Sequence, residues 1–182
     1  FENGEISGNG GGSDHAPVSG LYMTGGRLQN TVVSNNYYRG GGKGTVYDNK
    51  CGGINATGGT LLNVLVARNS ATTGLANWTG GLRMSGSAKA INVTVVDNVS
   101  DGNVGEQLTY AGGTLANAIV EGKANGTPSG KNLLTAGPVA FRNRAKGDYR
   151  LTAAATDCID QGDNASLADY PGVPDLEGKP RI

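Results

Sequence analysis

Arg68, Arg83 and Asp97 are the residues of this chain best suited by type and position to act on a substrate. Arg68 stands five residues after Asn63, and Asp97 five after Asn92, just as Asn35 follows Asn30. In a chain that stacks its repeats, this shared offset makes Arg68 and Asp97 neighbours on adjacent layers. A carboxylate beside a guanidinium can carry acid–base work on a polysaccharide, the first group taking a proton and the second steadying an acidic sugar. The same pair also reads as a surface ion pair of little energetic weight. Asp157, Asp160 and Asp163 recur every third residue in DCIDQGDN and could offer oxygen ligands to Ca²⁺. Their spacing is not that of an EF-hand loop, and aspartates at turns commonly bond their own backbone. His15 is the single histidine, and Ser13, Asp14 and His15 are contiguous. Adjacent residues do not reach the geometry of a catalytic triad. No His or Cys spacing implies a metal, and no cofactor is implied.

Aromatic residues form a second candidate set. Tyr37, Tyr38 and Tyr47 lie in one insertion, Trp78 in another and Tyr110 in a third. On exposed loops such rings can stack on sugars while nearby amides and guanidinium groups bond hydroxyls. The competing reading is that some of them cover the apolar edge of the stack.

The elements that must position these residues are repeats. GLYMTGGRLQNTVVSNN (Gly20 to Asn36) returns as GINATGGTLLNVLVARN (Gly53 to Asn69) and as GLRMSGSAKAINVTVVDN (Gly81 to Asn98). A weaker copy, GGTLANAIVEG, runs from Gly112 to Gly122. Asn30, Asn63, Asn92 and Asn117 mark one point per repeat and stand 33, 29 and 25 residues apart. A fixed point with filling of variable length is the signature of a solenoid. Each copy alternates short runs, so Leu21 and Met23 share one face and Tyr22 takes the other, as do Asn55 and Arg83 in later copies. The second half of each copy is rich in β-branched residues, which favours strand. Recurrence in the same order and polarity implies parallel sheets with neighbours about 4.8 Å apart. The repeated asparagines are then expected to form an amide ladder. Phe1-Glu2-Asn3 reads as the end of a repeat like Val33-Ser34-Asn35, so an upstream β-helix portion or a partner covering the first coil is expected. Residues 1–140 are assigned to the coils, the first incomplete, and 141–182 to a closing cap segment of the same domain.

The pattern GGxxxxxGGxLxNxxVxxN resembles right-handed parallel β-helix proteins of the pectate-lyase-like superfamily, above all bacterial cell-surface and secreted members. GDYRLTAAATDCIDQGDN (Gly147 to Asn164) and the later DLEGKPRI are similar to the segment that closes many such helices. Thr156-Asp157 stands here where that segment usually has Ser-Pro. The resemblance implies a right-handed, single-stranded parallel β-helix, an all-β fold. It also implies that catalytic members would show an aspartate column with a nearby Lys and Arg, and this chain has no such column.

Composition bounds the alternatives. The chain has 182 residues, 32 of them glycine, with 15 basic and 15 acidic side chains and zero net charge. No G-X-Y period exists, which excludes collagen. No basic cluster suits nucleic acid, and no apolar run approaches the roughly 20 residues of a membrane-spanning helix. Cys51 and Cys158 fall three or more coils apart, beyond the roughly 7 Å reach of a disulfide, so two free thiols are expected unless the tail folds back. The resulting expectation is a non-catalytic extracellular module on a bacterial surface, structural or adhesive, engaging polysaccharide or a surface protein through its loops. Two alternatives stand beside it: a polysaccharide lyase or glycoside hydrolase using Arg68, Arg83 and Asp97, and a structural subunit of a larger surface assembly.

Overall fold

The structure, a computed structural model, describes residues 1–11, 19–39, 51–72, 78–100 and 106–179. Tyr47 and His15 lie outside the described residues. The first strands are β1 (Glu2–Ser7), β2 (Gly10–Gly11), β3 (Leu21–Met23), β4 (Arg27–Ser34) and β5 (Tyr37–Arg39). The next two copies repeat that order as β6 (Ile54–Ala56), β7 (Thr60–Ala67), β8 (Ser70–Thr72), β9 (Leu82–Met84), β10 (Lys89–Val96) and β11 (Val99–Ser100). Then come β12 (Glu106–Tyr110), β13 (Thr114–Ala116), β14 (Ala118–Glu121), β15 (Lys123–Asn125) and β16 (Asn132–Thr135). A tail adds β17 (Phe141–Asn143) and β18 (Asp148–Leu151).

These strands stack into three parallel sheets. The longest runs β1-β4-β7-β10-β14-β16, with β13 also beside β10; the others run β2-β5-β8-β11 and β3-β6-β9-β12-β15. Through β12 the chain visits the three sheets in turn, once per coil, and β13 to β16 continue two of them, which makes an all-β parallel β-helix. Among the described residues only β17 and β18 pair antiparallel. Register aligns like with like. Leu28, Leu61, Ala90 and Leu115 form one inward column, and Val33, Val66, Val95 and Val120 another. Leu21, Ile54, Leu82 and Leu108 form a third. All these residues belong to or pack against one apolar core. Each side chain thus buries itself against its own counterpart one coil away, which is why a short repeat suffices only when stacked.

The asparagines mark backbone bends. Asn3, Asn30, Asn63, Asn92 and Asn117 all hold left-handed conformations, with φ between 48° and 54°. Asparagine tolerates that region better than other non-glycine residues. Asn3 pairs with Asn30, so Phe1-Glu2-Asn3 corresponds to Leu28-Gln29-Asn30 and not to Val33-Ser34-Asn35. Of the expected ladder, Asn30 Nδ2 donates to Asn3 Oδ1 (3.2 Å), Asn63 to Asn30 (2.9 Å) and Asn92 to Asn63 (3.2 Å), while Asn117 meets Asp163 of the tail.

A second ladder lies deeper and runs the other way. Asn9 Nδ2 donates to Asn36 Oδ1, Asn36 to Asn69, Asn69 to Asn98 and Asn98 to Gln107 Oε1, each at 2.8–2.9 Å. In this ladder each oxygen also accepts the backbone N–H of the donating residue. Asn36 and Asn69 are fully buried. Glycine fixes a third column for a steric reason. A Cβ on Gly20, Gly53 or Gly81 would lie 2.3–2.4 Å from a carbonyl oxygen of the adjoining coil. No side chain fits where two backbones come that close.

The tail lies along the outward face of the long sheet. Asn117 Nδ2 donates to Asp163 O (3.0 Å) and its Oδ1 accepts from Asp163 N (2.7 Å), while Asn63 Nδ2 reaches Pro174 O (2.6 Å). Between Asp163 and Pro174 the tail therefore runs back along the stack, from the level of Asn117 to that of Asn63.

Candidate functional site

Arg68 and Asp97 occupy equivalent corners directly after β7 and β10, in left-handed conformations with φ 58° and 55°. Asn35 holds the same corner after β4, with φ 54°. An arginine in that region costs on the order of 1–2 kcal/mol, so it persists only where its side chain is used. Its use is visible. Arg68 Nε donates to Tyr149 Oη (2.9 Å), and Tyr149 Oη donates to Asp97 Oδ2 (2.8 Å). The expected Arg68–Asp97 neighbourhood is thus present, but a phenol from the tail stands between the two groups. Arg68 Nη2 also donates to the carbonyls of Arg144 and Ala145.

Arg144 completes the network. Its Nη2 pairs with Glu121 Oε1, and its Nε lies 3.3 Å from Asp97 Oδ2, an ion-pair contact without hydrogen-bond alignment. Glu121 Oε2 accepts the backbone N–H of Val139 (2.7 Å). Phe141 and Tyr149 pack edge to face at 5.4 Å over Leu65, Ala67 and Val96. Burial raises the Tyr149 phenol above its ordinary range, Asp97 adds to the rise, and Arg68 opposes it. Burial works against the Arg144 charge, but Glu121 and Asp97 outweigh it and raise its pKa. Three coils are thereby tied to one turn of the tail. The arrangement is a clamp: its charges face one another and its donors end on one another's side chains or on tail carbonyls.

Arg83 is placed elsewhere. It sits in β9, in register with Tyr22, Asn55 and Thr109 of the neighbouring strands. Tyr22 is 52% exposed and Asn55 is buried in that column. The structure therefore brings Arg68 and Asp97 together and leaves Arg83 on a different sheet.

The aromatic set divides. Tyr38 and Trp78 are not exposed: they are 0% and 4% accessible and pack edge to face at 5.1 Å. Tyr38 alternates inward along β5, with Tyr37 and Arg39 outward. A large ring pointing inward above Ala71 fills a satellite core, the stack-covering role. Tyr37 is 45% exposed, and the Arg39 guanidinium lies 5.6 Å from its ring centre. Tyr110 is half-buried and donates to Gly113 O (2.8 Å).

Asp157, Asp160 and Asp163 do not converge. Asp163 accepts from Ala165 N (3.0 Å) as a turn cap, and Asp160 holds a left-handed conformation with φ 57°. Among the described residues no group of three His, Cys, Asp or Glu could hold a metal ion. Both cysteines are free. Cys51 is fully buried beside the carbonyls of Ile54 and Gly81, and burial pushes its thiol up to about 12. Cys158 is half-buried on the tail, and burial and then Asp157 raise its thiol.

Sequence reasoning missed the groove that the tail creates. Between the tail and the long sheet lies a cavity of about 1040 Å³, floored by Val32, Leu65 and Thr94 and walled by Arg142, Tyr149 and Leu176. A second hollow of about 690 Å³ shares Asn92, Thr94 and Leu151 with it. Nothing local in the sequence announces this groove, because its walls lie far along the chain from its floor. Comparisons of the chain with protein-family models, with curated proteins and with solved structures found no match.

Proposed function

We propose that this chain is a non-catalytic β-helical module of an extracellular or cell-surface bacterial protein, of the pectate-lyase-like type. Its role is to hold a rigid face outward and to bind glycan or a surface protein. One observation carries the non-catalytic reading. The two residues best suited to acid–base work, Arg68 and Asp97, spend their polar groups on Tyr149, Arg144 and the tail backbone. A base bonded to a phenol and faced by a guanidinium is not free to take a proton from a substrate.

The binding reading rests on Tyr37 and Arg39. An exposed ring with a guanidinium at its face offers an apolar platform and adjacent donors, the pair a sugar ring needs. Affinity electrophoresis through gels cast with neutral and uronate polysaccharides tests it. The wild-type chain should be retarded by at least one polysaccharide, and Tyr37→Ala should run faster in that gel. Tyr38→Ala and Trp78→Ala test the interior instead and should lower stability. Equal retardation of Tyr37→Ala and wild type would remove Tyr37 from the site.

A further inference from the structure

The tail meets the long sheet along two lines and spans the strip between them. On one side Pro174 O accepts from Asn63, and Asp163 is bonded through its backbone N and O to Asn117. On the other side Tyr149 is bonded to Arg68 and Asp97, and Arg144 pairs with Glu121. Asn63 and Arg68 stand five residues apart in sequence, so the two lines are about 17 Å apart.

Between these lines the outward residues of the long sheet form a column. Val32, Leu65, Thr94, Ile119 and Leu133 align in register, one per coil. The two hollows beneath the tail meet at Thr94, and together they are lined by this whole column. Its four steps of about 4.8 Å make a track of about 19 Å along the stack. The track is aliphatic apart from the Thr94 hydroxyl, and Leu151 and Leu176 line the groove from the tail.

The charged groups around the first hollow are spent on one another, with one exception. Arg150 pairs with Asp148 and Glu177, and Lys179 pairs with Glu177. Asp175 accepts the backbone N–H groups of Glu177 and Lys179. The Arg142 guanidinium lines the same hollow, is exposed, and forms no ion pair or hydrogen bond with a described residue. Asp148 feels its charge but is held by Arg150. The second hollow is lined by Lys131 and Asp157, charges of opposite sign.

We propose that the groove under the tail binds a long-chain fatty acid, its alkyl chain along the Val32–Leu133 column and its carboxylate on Arg142. A groove of this volume is of the size that takes small ligands. An alkyl chain gains from every methylene it buries on such a floor and needs no polar partner there. A sugar would cover its hydroxyls against four aliphatic side chains, where they find no partner. One unpaired cation selects one anionic head. The site is independent of the glycan reading at Tyr37, which lies on another sheet.

Isothermal titration of the intact chain with palmitate, octanoate and hexadecanol tests this, and hydrogen exchange gives the location. Palmitate should bind one to one and slow exchange in residues 147–153. Octanoate, which spans less of the column, should bind at least tenfold more weakly. Arg142→Gln should weaken palmitate at least tenfold and leave hexadecanol unchanged, while Lys131→Gln should leave both unchanged. Arg142 is exposed and unbonded, so its replacement leaves the fold intact, which circular dichroism verifies. Four outcomes would overturn the proposal: no palmitate binding, equal affinity for octanoate, full palmitate affinity in Arg142→Gln, or binding that leaves exchange in residues 147–153 unchanged.

Discussion

Replacing Asn69 by alanine should be among the most damaging single changes available in this chain. Its side chain is fully buried and takes part in four hydrogen bonds. Oδ1 accepts from the backbone N–H and the Nδ2 of Asn36, at 3.1 and 2.9 Å. Nδ2 donates to Val33 O and to Asn98 Oδ1, both at 2.9 Å. Alanine removes all four. Asn98 Oδ1 keeps the backbone N–H of residue 69, and Asn36 Nδ2 keeps Ile6 O. The Asn36 N–H is left buried without its acceptor and Val33 O without this donor. Each buried group stranded in this way costs about 1–3 kcal/mol. The expected loss is therefore about 3–5 kcal/mol, a large part of the roughly 5–15 kcal/mol that holds a domain folded. Asn35→Ala is the matched control. Asn35 is exposed, its side chain donates to Ser34 Oγ (3.1 Å), and its replacement would lose about 1 kcal/mol through its left-handed backbone. Urea unfolding followed by circular dichroism measures both. Similar losses for the two variants, or a loss below about 1.5 kcal/mol for Asn69→Ala, would refute the claim that buried amides carry the stack.

Gly53→Ala should prevent folding or cost several kcal/mol, because its Cβ would lie 2.4 Å from Gly81 O; thermal melting of the purified variant checks this. Tyr149→Phe removes the hydroxyl between Arg68 and Asp97, and hydrogen exchange across residues 141–151 should quicken while the coils keep their protection. The Cys51 thiol titrates near 12 in the folded chain against 9.0 for an ordinary thiol. The folded state then holds a proton the unfolded state has lost, so stability should fall as pH rises from 9 toward 12, by about 1.4 kcal/mol per unit. Cys51→Ala should flatten that slope in alkaline melting curves, and an unchanged slope would contradict the assignment. A thiol reagent at pH 8 should label Cys158 well before Cys51.

How much of this was legible in the sequence depended on distance along the chain. The sheets, the inward columns and the outer ladder follow from strand alternation plus recurrence, and Asn30, Asn63 and Asn92 stand where the pattern puts them. The inner ladder left a signal of equal quality, since Asn36, Asn69 and Asn98 repeat at the same 33- and 29-residue intervals. It is masked by the preceding corner residues Asn35, Arg68 and Asp97, whose types vary and which are at least partly exposed. The glycine column was legible as glycine but not as steric contact, which appears only once adjoining coils are placed. Tyr38 reads as a loop residue because β5 is three residues long and its inward alternation carries no local period, and Trp78 lies outside the strands. The path of the tail was not legible at all. Its contacts with the coils join residues as far as 111 positions apart, and no repeat encodes them.

The most direct test of the central claim, binding without cleavage, is to incubate the chain with fluorescent polysaccharides, uronates included, and follow their size by exclusion chromatography. The account predicts a shift of at least one polysaccharide to larger apparent size with its chain length unchanged. Shortened chains would contradict it and make the protein an enzyme.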